Sequence, residues 1–389
     1  MNRQEELACL CALNRIFGFD PKAAIALIRH FGSAREVFMA GPKAAAAVLG
    51  PFSRHQTNLT RDLASAARDE LDTLEGKGIG FTGWTAPDYP PLLKECEDAP
   101  IGLYIRSSSP IDSLWSAPKS VAVVGTRDIS PYGKEWCSRA VTAMAACREK
   151  PAIISGLALG TDIRAHVTAV EHGLPTIAVM ATGADMVYPH RHKSFAERLA
   201  STPGCALVTD YPPGTPPLAI HFLRRNRIIA GLSDATVLIE SKIKGGGMMT
   251  CNLAFSYSRD VLALPGRPDD LRSQGCNLLI RNRIAEPFFS CRELTESLGL
   301  TSSGRRHSKR LQDIVEHIYN GRTHDLEAMK KTAAAIEANR GISIEDIAIC
   351  TGMEYMQAAQ MTGILEADGY ISIDLLQRCS INVAKLQHE

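Results

Sequence analysis

The chain has almost no net charge. Forty-three Lys and Arg stand against 42 Asp and Glu, a formal charge of +1 over 389 residues, so no global basic field draws it to a phosphate polymer. Such a partner would have to be held by local clusters. No run of about 18 apolar residues occurs, which argues against a membrane-spanning helix. The opening Met1–Leu7 carries Arg3, Glu5 and Glu6 where a signal peptide would have an apolar core. The 11 cysteines are scattered, odd in number and contain no CxxC pair, a pattern that reads as reduced thiols and not a disulfide framework. A soluble, cytoplasmic protein with no membrane partner is the expectation. Catalytic signatures are missing as well. No GxGxxG follows the first strand of the doubly wound region, no GxxxxGK[ST] or GxSxG stretch is present, and no paired acid and base stands out, so neither an enzyme nor a cofactor is expected.

What is present suggests several domains, since 389 residues is about twice a typical single one. Residues 1–75 are rich in Ala, Leu and Ile at helical spacing, with Asp20-Pro21 as an N-cap followed by a first-turn proline. The stretch Phe17–Lys22 looks like the turn of a helix-hairpin-helix or SAM-like module. Residues 76–118 hold Gly, Pro, Trp84, Tyr89 and Trp115 and read as an irregular bridging segment.

From Lys119 the pattern changes to short apolar runs: Val121–Val124, Ala152–Ile154, Thr176–Val179, Ala206–Val208, Thr236–Ile239 and Val261–Leu264. Runs of that kind fit parallel strands buried on both faces. Helical stretches lie between them, two with readable starts at Ser130-Pro131 and Thr161-Asp162. The fold class is therefore α/β: an extended Rossmann-like, doubly wound, mostly parallel sheet over 119–298. A polar linker, 299–310, leads to 311–389, whose cadence predicts a winged-helix domain. Its first helix falls at Ile344–Ala348, a turn at Thr351-Gly352, a second helix at Met356–Leu365, and a β wing at Gly369–Ile373.

Doubly wound sheets bind ligands beyond the carboxyl ends of their strands, where backbone amides at helix N-termini face outward. Those positions here are Gly125-Thr126-Arg127, Ser155-Gly156, Tyr188–Arg191, Ser241–Thr250 and Pro265-Gly266-Arg267. Glycine lets the backbone approach an anion, and neighbouring Lys or Arg supplies charge. The expected groove holds successive phosphates on the amides of Gly125, Gly156, Gly246 and Gly247. Arg127, Arg191, Arg225, Lys242 and Lys244 neutralise them. The strip His221–Gly231 places Arg224, Arg225 and Arg227 around Phe222 and Asn226, which reads either as a solvated helix start or as a phosphate clamp with a base-stacking aromatic. His190 and His192, near Asp185, are better read as surface histidines than as metal ligands.

Taken in order, Val121–Arg127, Ser155–Asp162, Tyr188-Pro189, Asp210–Gly214, Arg225–Gly231 and Leu264–Gly266 resemble the DNA-processing protein A (DprA/Smf) family. The resemblance implies single-stranded DNA binding without base specificity. It also implies a homodimer that protects incoming DNA during natural transformation and loads the RecA recombinase. Arg127 matches the arginine of the family's Gly-Ser-Arg motif, with Thr126 replacing Ser. Arg225, Asn226 and Arg227 match its Arg-Asn-Arg motif, and Phe222 the aromatic three residues earlier. Lys244–Thr250 replaces the usual Lys-Ser-Gly-Ser-Leu-x-Thr.

A rival reading is a nucleotide-processing hydrolase resembling the LOG-type phosphoribohydrolases. Those carry Pro-Gly-Gly-x-Gly-Thr-x-x-Glu where this chain has Pro265-Gly-Arg-Pro-Asp-Asp270. A third, a duplex-reading transcription regulator, sits poorly with the tail: residues 311–389 hold 6 Lys and Arg against 12 Asp and Glu. That acidity favours a protein-contact or autoinhibitory role.

Overall fold

Six short runs of buried aliphatic side chains build the centre of the molecule. The computed structural model describes residues 3–50, 53, 59–300, 311–319, 325–339, 341–374 and 377–381. They divide into two compact units, Met1–Thr301 and Ser302–Glu389. No helix among the described residues is long and apolar enough to cross a membrane.

In the first unit, α1 (Arg3–Phe17), α2 (Pro21–Phe31), α3 (Ala34–Leu49) and α4 (Arg61–Glu75) precede β1 (Ile79–Gly83), α5 (Pro91–Lys94) and β2 (Gly102–Arg106). Asp20 caps α2 as its sequence suggests, accepting from the Ala23 amide at 3.4 Å. Side chains of α1, among them Leu10, Leu13 and Phe17, share one buried cluster with Leu103, Tyr104 and Ile105 of β2. The helices of 3–75 and the sheet thus have a common core.

The stretch expected to be an irregular bridge contributes two of the sheet's nine strands: β1 and β2 pair antiparallel, and β2 pairs antiparallel with β6 (Ala206–Thr209). Glycines hid them. Gly102 reads as a loop signal, but it lies opposite Gly83 and its missing side chain leaves room for the Phe81 ring.

The parallel strands are β3 (Ser120–Val124), β4 (Ala152–Ser155), β5 (Thr176–Val179), β6, β7 (Ala235–Leu238), β8 (Asp260–Ala263) and the short β9 (Glu286–Pro287). The sheet order is β1-β2-β6-β5-β4-β3-β7-β8-β9. The chain winds from β3 outward through β4, β5 and β6, then returns to β7 on the other side of β3. This reversal opens a crevice at the β3/β7 carboxyl ends. The flanking helices are α6 (Pro131–Ala145), α7 (Thr161–Glu171), α8 (Lys193–Ser201), α9 (Ala219–Gly231), α10 (Gly246–Ser256), α11 (Gln274–Arg281) and α12 (Cys291–Ser297). α6 and α7 begin at the starts read from sequence.

The second unit contains α13 (Leu311–Tyr319), α14 (Leu326–Ala338), β10 (Ile342–Ser343), α15 (Ile344–Thr351), α16 (Tyr355–Ala367), β11 (Ile371–Ile373) and β12 (Arg378–Ile381). Its three strands form an antiparallel sheet in the order β10-β12-β11. Ser343 caps α15, and Gly352 closes it with φ +70°. The two helices, the turn between them and the following strand lie where the tail's cadence put them. Linker residues 301–310 lie outside the described residues.

Candidate functional site

Two helix N-termini flank the β3/β7 crevice, and their chemistry differs. The start of α6 is closed from within. Ser130 accepts from the Gly133 amide at 3.0 Å and donates to Glu240, whose buried carboxylate also accepts from the Ser130 amide at 2.9 Å. Glu240 thus occupies the place where a nucleotide-binding Rossmann fold receives pyrophosphate.

The start of α10 is open. Gly245, at its N-cap, supplies no side-chain hydrogen bond, so the first amides, those of Gly246 and Gly247, lack a side-chain acceptor. A Cβ on Gly247 would come 2.7 Å from Leu238 Cδ1 and 3.3 Å from Gly125 Cα, so glycine is what lets α10 seat against the β3 turn. Lys242 and Lys244 are exposed beside this terminus, and Arg127 is exposed on the β3 turn. Arg191 is exposed in the short His190–His192 turn that leads into α8. Among the described residues, no carboxylate pairs with these four cations. Aspartates, glutamates and carbonyls hold several of their neighbours. Arg272, for example, pairs with Asp128 at 2.6 Å.

An aromatic element adjoins the cations. The Arg127 guanidinium lies 4.9 Å from the centroid of the half-buried Phe222 ring. Phe222 meets Tyr188 edge-to-face, with centroids 5.6 Å apart and planes at 66°. Tyr188 lies in the Tyr188–Arg191 strand-end stretch read from the sequence, but its pairing with Phe222 was not foreseen. The β5–α8 connection brings it to the α9 ring.

The Arg225-Asn226-Arg227 strip departs from expectation. All three side chains are buried on α9. Arg225 is 4% exposed and donates to the carbonyls of Gly156 and Val179, with its Nε reaching Asn226 Oδ1 at 3.3 Å. Burial lowers its pKa to about 10, partly offset by Asp162, so the guanidinium stays charged at neutral pH. Its charge reaches the site only through the scaffold, and direct phosphate contact by Arg225 is corrected to a positioning role. Asn226 Nδ2 donates to the Gly246 carbonyl at 3.3 Å and steadies the α10 start. Arg227 faces away, paired with buried Asp210 at 2.6 Å and bonded to the Asp98 carbonyl.

Ser155 is likewise structural. Its hydroxyl donates to the Val123 carbonyl at 2.6 Å across the β3–β4 pair. Gly156 is buried against the Arg225 guanidinium, and its neighbouring turn is pinned on the inner side. There the His192 ring meets the Leu157 carbonyl at 2.9 Å, and Asp162 accepts from the Ala158 amide at 3.3 Å. Burial raises the Asp162 carboxyl above the usual range, opposed by Arg225. Thr126 is half-buried and accepts from the Asp128 amide at 3.1 Å, shaping the turn that carries Arg127. Thus Gly125, Thr126, Arg127, Phe222, Lys242, Lys244, Gly246 and Gly247 gather around the crevice, and Ser155, Gly156, Arg225 and Asn226 form its buried support, while Arg227 faces away and Arg191 sits apart on the β5–α8 connection. Among the described residues, no cluster of three His, Cys, Asp or Glu could hold a metal ion.

Residues 80–299 match the family model for DNA recombination-mediator protein A. The chain belongs to that family. The match takes in β1 and β2 as well as the parallel sheet, so family membership extends through the segment read as a bridge. Similar proteins include Protein Smf of a Synechocystis species, 35% identical over 229 residues that make up 59% of this chain and 56% of the relative. The DNA processing protein DprA of Streptococcus pneumoniae is 38% identical over 193 residues, 50% of this chain and 65% of the relative. The chain thus spans between half and two thirds of the length of these two relatives. The crystal structure of the pneumococcal DprA superposes with a TM-score of 0.62 and 28% identity, covering 75% of this chain and 97% of that one. In this family member, the strand-end crevice carries unpaired cations, an open helix N-terminus and an aromatic pair.

Proposed function

We propose that the strand-end face binds single-stranded DNA without base specificity, and that the protein is a DNA-binding mediator and not an enzyme. The observation that carries this reading is the open α10 N-terminus at a crevice that also holds Arg127, Lys242 and Lys244, none of them paired with a carboxylate among the described residues. Exposed cations and helix amides recognise phosphate without reading sequence. Membership of a recombination-mediator family supports the wider role: protecting incoming DNA in natural transformation, loading RecA recombinase, and working as a homodimer in the cytoplasm. The nucleotide-hydrolase alternative is disfavoured because Pro265–Asp270 lacks the glycine-rich motif such enzymes carry, and because Glu240 closes the α6 N-terminus.

Competition between single-stranded DNA, duplex DNA and nucleoside monophosphates across a salt series tests the reading. Single strands are expected to win, with a log–log salt slope of about −0.7 for each phosphate neutralised. Arg127→Ala with Lys244→Ala should weaken binding and flatten that slope by about 1.4. An unchanged slope, or release of free base from a monophosphate, would overturn it.

A further inference from the structure

The cations around α10 cannot by themselves tell a single strand from a duplex, because both present phosphates. The feature of this face that can do so is the aromatic pair. Phe222 is half-buried, and one side of it is taken by the Arg127 guanidinium. Tyr188 is 46% exposed, and among the described residues its hydroxyl makes no hydrogen bond that would tie the ring to the fold. Phe222 packs against it with the ring planes at 66°, and ring surface stays open to solvent. Tyr188 also stands three residues before the exposed Arg191, so an open aromatic face and a phosphate-seeking cation share one connection. A base in a single strand can leave its neighbours and stack on such a ring. A base in a duplex is already stacked on both sides and paired at its edge.

We propose that Tyr188 is the base-stacking residue that gives this face its preference for single strands, with Phe222 as the support that orients it. The proposal rests on the single-strand reading above and adds a residue and a selection principle to it. It divides the labour of the site: Arg127, Arg191, Lys242 and Lys244 hold the chain of phosphates, and Tyr188 senses whether the bases are free.

The test uses the full chain and three labelled probes of equal length: oligothymidylate, a strand with abasic tetrahydrofuran residues at every position, and a duplex. Fluorescence anisotropy is read at several salt concentrations. The unaltered protein should bind oligothymidylate more tightly than the abasic strand. Tyr188→Ala should weaken oligothymidylate binding by about 5- to 10-fold, the low end of what one base–aromatic stack contributes. Abasic binding and the salt slope should stay as they were. Tyr188→Phe should keep the preference. Tyr188→Leu, which retains apolar bulk without an aromatic face, should lose it.

If Tyr188→Ala keeps its full preference for bases, or loses as much on the abasic strand, the stacking role is wrong and the phosphate-binding reading stands. Full preference in Tyr188→Leu would also overturn stacking. If the unaltered protein binds none of the three probes, the single-strand reading fails and takes this proposal with it.

Discussion

Arg127 and Arg227 are the same amino acid in two different electrical situations. Arg127 keeps an exposed charge with no carboxylate ion pair among the described residues, whereas Arg227 is locked against Asp210, with the Arg227 and Asp210 side chains both under a tenth exposed. Removing one member of a buried pair leaves the other charge unsatisfied, which costs about 3–5 kcal/mol. Arg227→Ala is therefore expected to lower the denaturation midpoint strongly, while Arg127→Ala leaves the midpoint in place and lowers DNA affinity. Urea titration beside anisotropy separates the two. Equal stability of both variants would contradict the assignment. His166 makes a pH prediction of the same local kind. Its ring is fully buried, with Nδ1–H donating to Thr176 Oγ1 at 2.7 Å while the Thr176 hydroxyl donates to the Ile153 carbonyl. Burial lowers its pKa to about 3, so the folded protein refuses a proton that the unfolded chain takes up below about pH 6.5. Stability from this group is present above that pH and drains away as pH falls toward 3, by at most about 1.4 kcal/mol per pH unit. His166→Asn should flatten the acid limb of a stability–pH curve, and an unchanged limb would refute the role.

The turns between strands and helices carry the site, and one of them gives a sharp structural test. Gly160, just before α7, has φ +78°, and a Cβ there would press into the Thr126 carbonyl and the Arg127 backbone. Gly160→Ala should cost about 1–3 kcal/mol and displace the turn that carries Arg127, so both melting temperature and DNA affinity are expected to fall. Retention of both would mean that the β3 and β4 turns are not coupled. Six of the seven parallel strands were legible because strands buried on both faces leave an unbroken aliphatic run, and each lies within about a residue of its run. β1 and β2 were not, because Gly80, Gly83 and Gly102 break the pattern for packing reasons that only the folded neighbours reveal. The same limit applied to α9. Its arginines announced charge, but whether a charge faces solvent or a carbonyl depends on which side of the helix the sheet covers. The pairing of Tyr188 with Phe222 lay beyond local reading, since the two are 34 residues apart and meet only through the fold.

Near-zero charge over the whole chain is an average of unlike parts. The first unit supplies an unpaired basic crevice, residues 302–310 contain four basic and no acidic side chains, and residues 311–389 hold twice as many acidic as basic ones. In the second unit, α16 is the second helix of the expected winged-helix motif, yet Tyr355–Ala367 contains no Lys or Arg. Phosphate has little to bind there, and an acidic body attached to a basic one lowers the local counter-charge that steers a polyanion. Two truncations separate these contributions. Removing 311–389 deletes the acidic excess and keeps the basic linker, so single-strand affinity should hold or rise. Removing 302–389 deletes both and should return affinity close to that of the full chain. Anisotropy at low salt is the suitable measurement, because interactions beyond a Debye length of about 10 Å at 0.1 M salt are largely screened. A large loss of affinity in both truncations would show that the second unit carries part of the binding site. A gain confined to the first would identify its acidic surface as a brake on DNA capture, with the crevice of the first unit sufficient for binding.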